Sequence, residues 1–267
     1  MVLSALSFSI MAALVKANLH SVAVKAFSRQ LISCFIVLII IVINNYRIIP
    51  LKKSRVKLLL RCFFGTLGIY LYFYSIDNLL LANASMLTRL SPFFVTLFAF
   101  LILKESVKKV NWLVFFPMLI GCVLIIKPNS ELFNPASIYA VLSACSGALA
   151  YIMIKSIGRN EYSYTIIFWF SLVSSFIYLF VALDEFKFID LISILNLIMI
   201  GVFGLIGQIG LTKSYQISKA SHIAPYSYLY VVFSGLIGFF IWNEIPDKIS
   251  LLGYFLIITS YLCLIKI

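Results

Sequence analysis

Charge is scarce in this chain. Of its 267 residues 11% are Asp, Glu, Lys or Arg, and nine are acidic. Soluble domains carry about 25% charged residues. That excludes a water-soluble globular protein, and with it a disordered or nucleic-acid-binding one. Histidine is scarcer still, with two residues. There is no HExxH, and no aspartate is expected within a membrane span. A membrane-embedded enzyme would need a nucleophile–base pair or a set of metal ligands, and neither is in view. There is no GxxxxGK[ST] loop, which argues against ATP-driven pumping. The five cysteines (Cys34, Cys62, Cys122, Cys145 and Cys263) are scattered through apolar runs without a CxxC pair. They read as small core-filling residues.

What the chain has is hydrophobicity: 63% of residues are apolar, and the mean hydropathy is +1.09. Only helices and closed barrels satisfy every backbone polar group in lipid. The apolar runs are about 20 residues long, as helical spans require, without the two-residue alternation of barrel strands. The pattern predicts ten spans, at 2–19, 26–44, 58–76, 82–103, 110–127, 136–155, 163–183, 195–214, 220–242 and 249–266. The N-terminal segment reads as the first span rather than as a cleavable leader.

The net charge of +12 sorts by loop. The second loop carries Arg47, Lys52, Lys53, Arg55, Lys57 and Arg61, and the fourth carries Lys104, Lys108 and Lys109. The sixth has Lys155 and Arg159, and the eighth Lys213 and Lys219. Odd-numbered loops have at most one cation each, apart from the first, where Lys16, Lys25 and Arg29 cluster. Cations favour cytoplasmic loops, so the even loops and both termini are expected inside.

Sliding the chain on itself by 139 residues aligns its halves without a gap. VLSALS at Val2–Ser7 falls on VLSACS at Val141–Ser146. Lys16 falls on Lys155, Gly65 on Gly204, Gly68 on Gly207, Ser75 on Ser214 and Glu105 on Glu244. The halves, 1–128 and 136–267, then hold five spans each. An odd number inverts the second half relative to the first, an architecture recurrent in secondary transporters. The expected fold is all-α and membrane-integral: ten transmembrane helices as two inverted five-helix repeats. Two similar packings of such halves open a central site to either face in turn, with substrate near the midplane.

The motifs FSRQL, LRCFFGTLGIYLYFYSI, LSPFFVTLFAFLILKE and WLVFFPMLIGCVLII in the first half resemble the drug/metabolite transporter superfamily, EamA type. GLIGQIGLTKSYQISKASHIAPYSYLYVVFSGLIGFFIWNEIPD in the second half does too. Within it, KPNSELFNPASIYAVLSA and APYSYLYVVFSGLIGFFIWNEIPDK look most similar to the bacterial S-adenosylmethionine uptake branch. The truncated N-terminus and Arg89 depart from the family pattern. The resemblance implies a metabolite transporter of a bacterial cytoplasmic membrane with no prosthetic group. Its partners would be a small-molecule substrate, the lipid bilayer, and a coupling proton or counter-substrate.

Seven residues are candidates for substrate binding. Arg89 lies inside the fourth span, where a cation costs a few kcal/mol. It either faces the bundle interior, where it can hold a carboxylate bidentately, or snorkels to the surface. Ser85, Thr88 or Arg89, Pro92 and Thr96 form one stripe on that helix, and Ser91 belongs to its LSP motif. His222, Tyr226 and Tyr230 are spaced by four along the ninth span, beside Pro225, which frees a backbone carbonyl. They either line a cavity or belong to an interfacial aromatic belt. Gln208 follows Gly204 and Gly207, and Tyr72 follows Gly65 and Gly68. Ser4, Ser7, Ser143 and Ser146 are expected to pack helices, and Trp169 to face lipid or core. Glu105 and Glu244 are expected to cap the next helix rather than carry protons. One cation with hydroxyls, an amide and aromatics suits a zwitterionic or aromatic metabolite: an amino acid or related compound, with S-adenosylmethionine as the alternative.

Overall fold

A computed structural model describes residues 1–88, 90–104, 109–126, 134–183, 190–217 and 229–266. All regular structure in them is helical: α1 (Val2–Ala17), α2 (Val22–Ile43), α3 (Arg55–Asn78), α4 (Leu81–Thr88), α5 (Ser91–Leu103), α6 (Lys109–Ile126), α7 (Ala136–Ile157), α8 (Ser163–Ala182), α9 (Leu191–Ile217), α10 (Leu229–Trp242) and α11 (Lys248–Lys266). Among these residues, six stretches are long and apolar enough to cross a membrane: Val22–Ile43, Lys52–Asn78, Leu81–Leu103, Ala136–Asn160, Ser163–Ala182 and Leu191–Ile217. Val2–Ala17, Leu229–Trp242 and Lys248–Ser260 are shorter apolar helices.

Polar caps explain where helices extend beyond the hydrophobic runs. The Ser21 hydroxyl accepts from Val24 N, so α2 starts four residues before the expected 26. Asp190 accepts from Ser193 N at the start of α9, and hydrogen bonds from Ser193 hold its carboxyl below the usual carboxylate range. The fourth span is described as α4, up to Thr88, and α5, which starts at Ser91 with Pro92 in its first turn. Proline has no N–H for the carbonyl four residues back, and it fits a helix start better than an interior.

Helix ends fall at matching positions 139 residues apart. α2 ends at Ile43 and α8 at Ala182, and α5 ends at Leu103 and α10 at Trp242. The residues just after the last pair, Lys104 and Asn243, both have left-handed backbone, with φ of 53° and 51°. Packing follows the same correspondence: α3 lies on α7 as α9 lies on α1, and α2 pairs with α8 as α6 pairs with α11.

Hydrogen bonds fix the helix directions. Lys16, near the end of α1, donates to Leu79 O just past α3. Asn134, just before α7, donates to Asn78 O at the same end of α3. At the other end of α3, Lys57 donates to Ser156 O near the end of α7. α1 and α7 therefore run in opposite directions. The end where α1 starts is called the near end below, and the other the far end.

The interior is built of small residues. Ser4 Oγ donates to Gly207 O at 2.6 Å, and Ser143 Oγ to Gly68 O at 2.8 Å. These are the same bond in matching positions. A Cβ on Gly207 would stand 2.7 Å from the Phe8 ring, and one on Gly68 would stand 3.4 Å from Gly147 N. Close backbone approach with a hydroxyl bridge is how helices associate when lipid removes the hydrophobic drive. Many large apolar side chains, such as Phe35, Phe63, Phe176 and Phe240, lie on the outside, while Phe73 and Phe170 are buried.

Candidate functional site

Where α1, α2, α3, α4, α5, α7, α8, α9 and α10 converge they leave a cavity of about 110 Å³. One water needs only about 10–15 Å³ measured this way, so the space fits a small molecule. Two arginines enter it, Arg29 from α2 and Arg61 from α3. They are 3% and 2% exposed.

Each guanidinium occupies room left by a glycine. Arg61 folds along α3 onto Gly65, one turn on, where a Cβ would collide with Nη1. Arg29 crosses to α9 at Gly204, where a Cβ would stand 2.8 Å from Nε. Gly65 and Gly204 are a matched pair, so equivalent gaps in the two halves each admit one arginine. Arg61 also lies over the Phe170 ring at 3.9 Å, a cation–π contact.

These charges are poorly satisfied. Arg61 Nε and Nη1 and Arg29 Nε are buried without a hydrogen-bond partner among the described residues. Arg29 Nη1 donates to Gln30 Oε1 at 3.3 Å. No acidic residue lines the cavity among the described residues. A buried cation without a counter-charge costs several kcal/mol, so the cavity is electrostatically incomplete.

The remaining wall is aromatic and hydroxyl-bearing. Tyr72 and Tyr230 share a hydrogen bond between their hydroxyls, which joins α3 to α10. Gln208 Nε2 donates to Thr212 Oγ1 at 3.0 Å. Thr88, Ser91, Ser143 and Tyr151 complete the polar lining. Among the described residues, no three His, Cys, Asp or Glu side chains come together as a metal site.

Four of the seven candidates named from sequence meet on this wall: Tyr72, Ser91, Gln208 and Tyr230. Arg89, His222 and Tyr226 lie outside the described residues. Arg29 and Arg61 were missed. Arg61 is not a loop cation but lies in the second turn of α3, buried. Lys25, Arg29 and Arg61 are all buried cations within helices. The signal available was an arginine four residues before a glycine, inside a predicted span.

Ion pairs lie at both ends of the bundle. At the far end Lys16 pairs with Glu244, and Lys25 Nζ contacts Asp77 at 2.5 Å. Lys25 also donates to Val15 O and Asn18 O at the end of α1, where a helix favours cations. At the near end Arg47 pairs with the buried Glu161 at 2.9 Å, and Gln216 donates to Gly158 O and Glu161 O. Glu244 does not cap the next helix as expected. It accepts from Leu81 N at 2.7 Å, at the start of α4. The α11 start is capped by Asp247, which accepts from Ile249 N and Ser250 N. Glu105 lies outside the described residues. Trp169 is partly buried, and its Nε1 donates to Ile48 O.

Comparison with known proteins agrees with this architecture. The EamA-like transporter family matches twice, over residues 1–127 and 134–266. The pseudopaline exporter CntI of Pseudomonas aeruginosa is 32% identical, over 98% of this chain and 93% of its own. The S-adenosylmethionine uptake transporter of Rickettsia prowazekii is 28% identical, over 93% and 84%. An uncharacterized transporter of Helicobacter pylori is 29% identical, over 97% and 90%. A protein known by crystal structure superposes with a TM-score of 0.66 over 97% of this chain and 92% of its own, at 14% identity. That likeness concerns the fold alone.

Proposed function

The chain belongs to the EamA-like transporter family, and from that premise we propose that it is a secondary transporter of a small polar metabolite, an amino acid or related compound. Transport proceeds by alternating access between two inverted five-helix repeats, 1–128 and 136–267, which together make ten membrane-spanning segments. The observation that carries this reading is the cavity itself. Two arginines, hydroxyls and an amide enter it, it lies where helices of both halves meet, and ion pairs lie at both ends of the bundle. The opposed directions of α1 and α7, with the matched Ser4–Gly207 and Ser143–Gly68 bonds, support the inverted repeat. Two similar halves held by equivalent contacts can exchange packings at little cost.

The orientation follows from the loop cations. Lys16, Lys25 and Arg29 gave the first loop a cytoplasmic look, yet Lys16 and Lys25 are in ion pairs and Arg29 is in the cavity. Lys52, Lys53, Arg55, Lys57 and Arg159 lie at the near end, which supports a cytoplasmic near end and cytoplasmic termini in a bacterial inner membrane.

Similarity to an S-adenosylmethionine uptake transporter and the tyrosines of the wall favour a second reading, uptake or exchange of that nucleoside-like compound. Proteoliposomes containing the purified chain separate the two. Labelled amino acids, S-adenosylmethionine and acidic metabolites are offered in both directions, because the relatives include an exporter and an uptake transporter. Saturable flux of any one supports transport. Absence of flux for every compound, from protein shown to be folded, refutes it.

A further inference from the structure

We propose that the cavity selects an organic dianion, a compact molecule with two acidic groups, held by Arg29 and Arg61 together. The inference deepens the transport reading and rests on it for the identity of the site.

Charge count comes first. The two guanidiniums are buried, three of their nitrogens are unpaired, and no carboxylate lines the cavity among the described residues. A monocarboxylate zwitterion brings one anion and one cation. It neutralises one arginine and sets its ammonium among residues that include no counter-charge. S-adenosylmethionine, with a sulfonium added, fits worse. Two acidic groups match the two cations, and each guanidinium fork can donate two hydrogen bonds to an oxyanion.

Geometry comes second. The arginines arrive from different helices, each seated at its own glycine, Gly65 or Gly204. They are two separate receptors on one cavity, which favours acidic groups spaced along a short carbon skeleton. The rings of Phe8, Phe73 and Phe170 supply the apolar surface for that skeleton.

The test is thermal unfolding of the detergent-solubilised full chain at constant ionic strength. The probes are succinate, glutamate, inorganic phosphate, leucine, S-adenosylmethionine and chloride. A ligand that binds only the folded state raises the midpoint. Succinate is expected to give the largest rise, glutamate with its added ammonium a smaller one, and leucine and S-adenosylmethionine little. Arg29→Gln and Arg61→Gln are each expected to weaken the effective probe by about 10- to 100-fold, the loss of a charge-assisted pair. Arg61→Lys keeps the charge but not the fork, and an intermediate loss is expected. If a glutamine variant does not fold, the lysine variant and the wild-type ranking still decide. A larger rise with S-adenosylmethionine or leucine overturns the proposal and leaves transport standing. A rise with phosphate or chloride alone marks an inorganic anion site and overturns it, as does no rise with any probe. Dianion binding without flux of any metabolite would instead overturn the transport reading and keep this one.

Discussion

Arg61 and Arg29 are tolerated in the bundle only because glycines make room for them, and neither has the partner a buried charge needs. Replacing a buried charge by an apolar side chain of similar volume is often neutral or stabilising, by about 1–4 kcal/mol. Arg61→Met is therefore expected to raise the apo-protein's melting midpoint, or leave it unchanged, while abolishing transport. A marked fall in the midpoint would show that Arg61 is satisfied in the resting protein. Gly65→Ala is the converse case. Its methyl would collide with Arg61 and meet Phe170, so it is expected to lower both stability and transport. Arg61→Met on that background should recover stability alone, as measured by the same melt.

Helix-scale features were partly legible in the sequence. Each described helix overlaps a hydropathy span, and the common ends of α2 and α8 and of α5 and α10 fall at the 139-residue offset. What hydropathy does not encode is depth and facing. Arg61 stands in a basic stretch beginning at Arg47, and only the α7 and α8 neighbours of α3 turn it into a cavity residue. The start of α5 was hidden because hydrophobicity continues through it, although Pro92 marked the place. Glu244 illustrates the same limit. Its position at a helix end suggested a local cap, but its partners Lys16 and Leu81 are far away in sequence. Breaking a buried pair from one side costs about 3–5 kcal/mol. Glu244→Gln should therefore reduce the yield of folded protein and its melting midpoint. Full stability with loss of pH-driven flux would assign Glu244 to proton coupling instead. Ser4→Ala and Ser143→Ala should each cost about 0.6 kcal/mol, the usual worth of an interhelical hydrogen bond in a membrane, and nearly equally because the two bonds match. A large inequality between the two in a denaturation series would argue against equivalent packing of the halves.

At the scale of the whole molecule, alternating access requires the cavity to communicate with each face in turn, past the Lys16–Glu244 pair at the far end and the Arg47–Glu161 pair at the near end. The most direct test uses a variant lacking the five native cysteines and carrying Ser91→Cys on the cavity wall. A membrane-impermeant thiol reagent is applied to one face of sealed vesicles at a time. The unlocked protein should label from both faces. Cross-linking Lys16→Cys to Glu244→Cys should leave labelling from the near end only, and cross-linking Arg47→Cys to Glu161→Cys from the far end only. Labelling from both faces through either lock, or from one face regardless of the lock, would contradict alternating access.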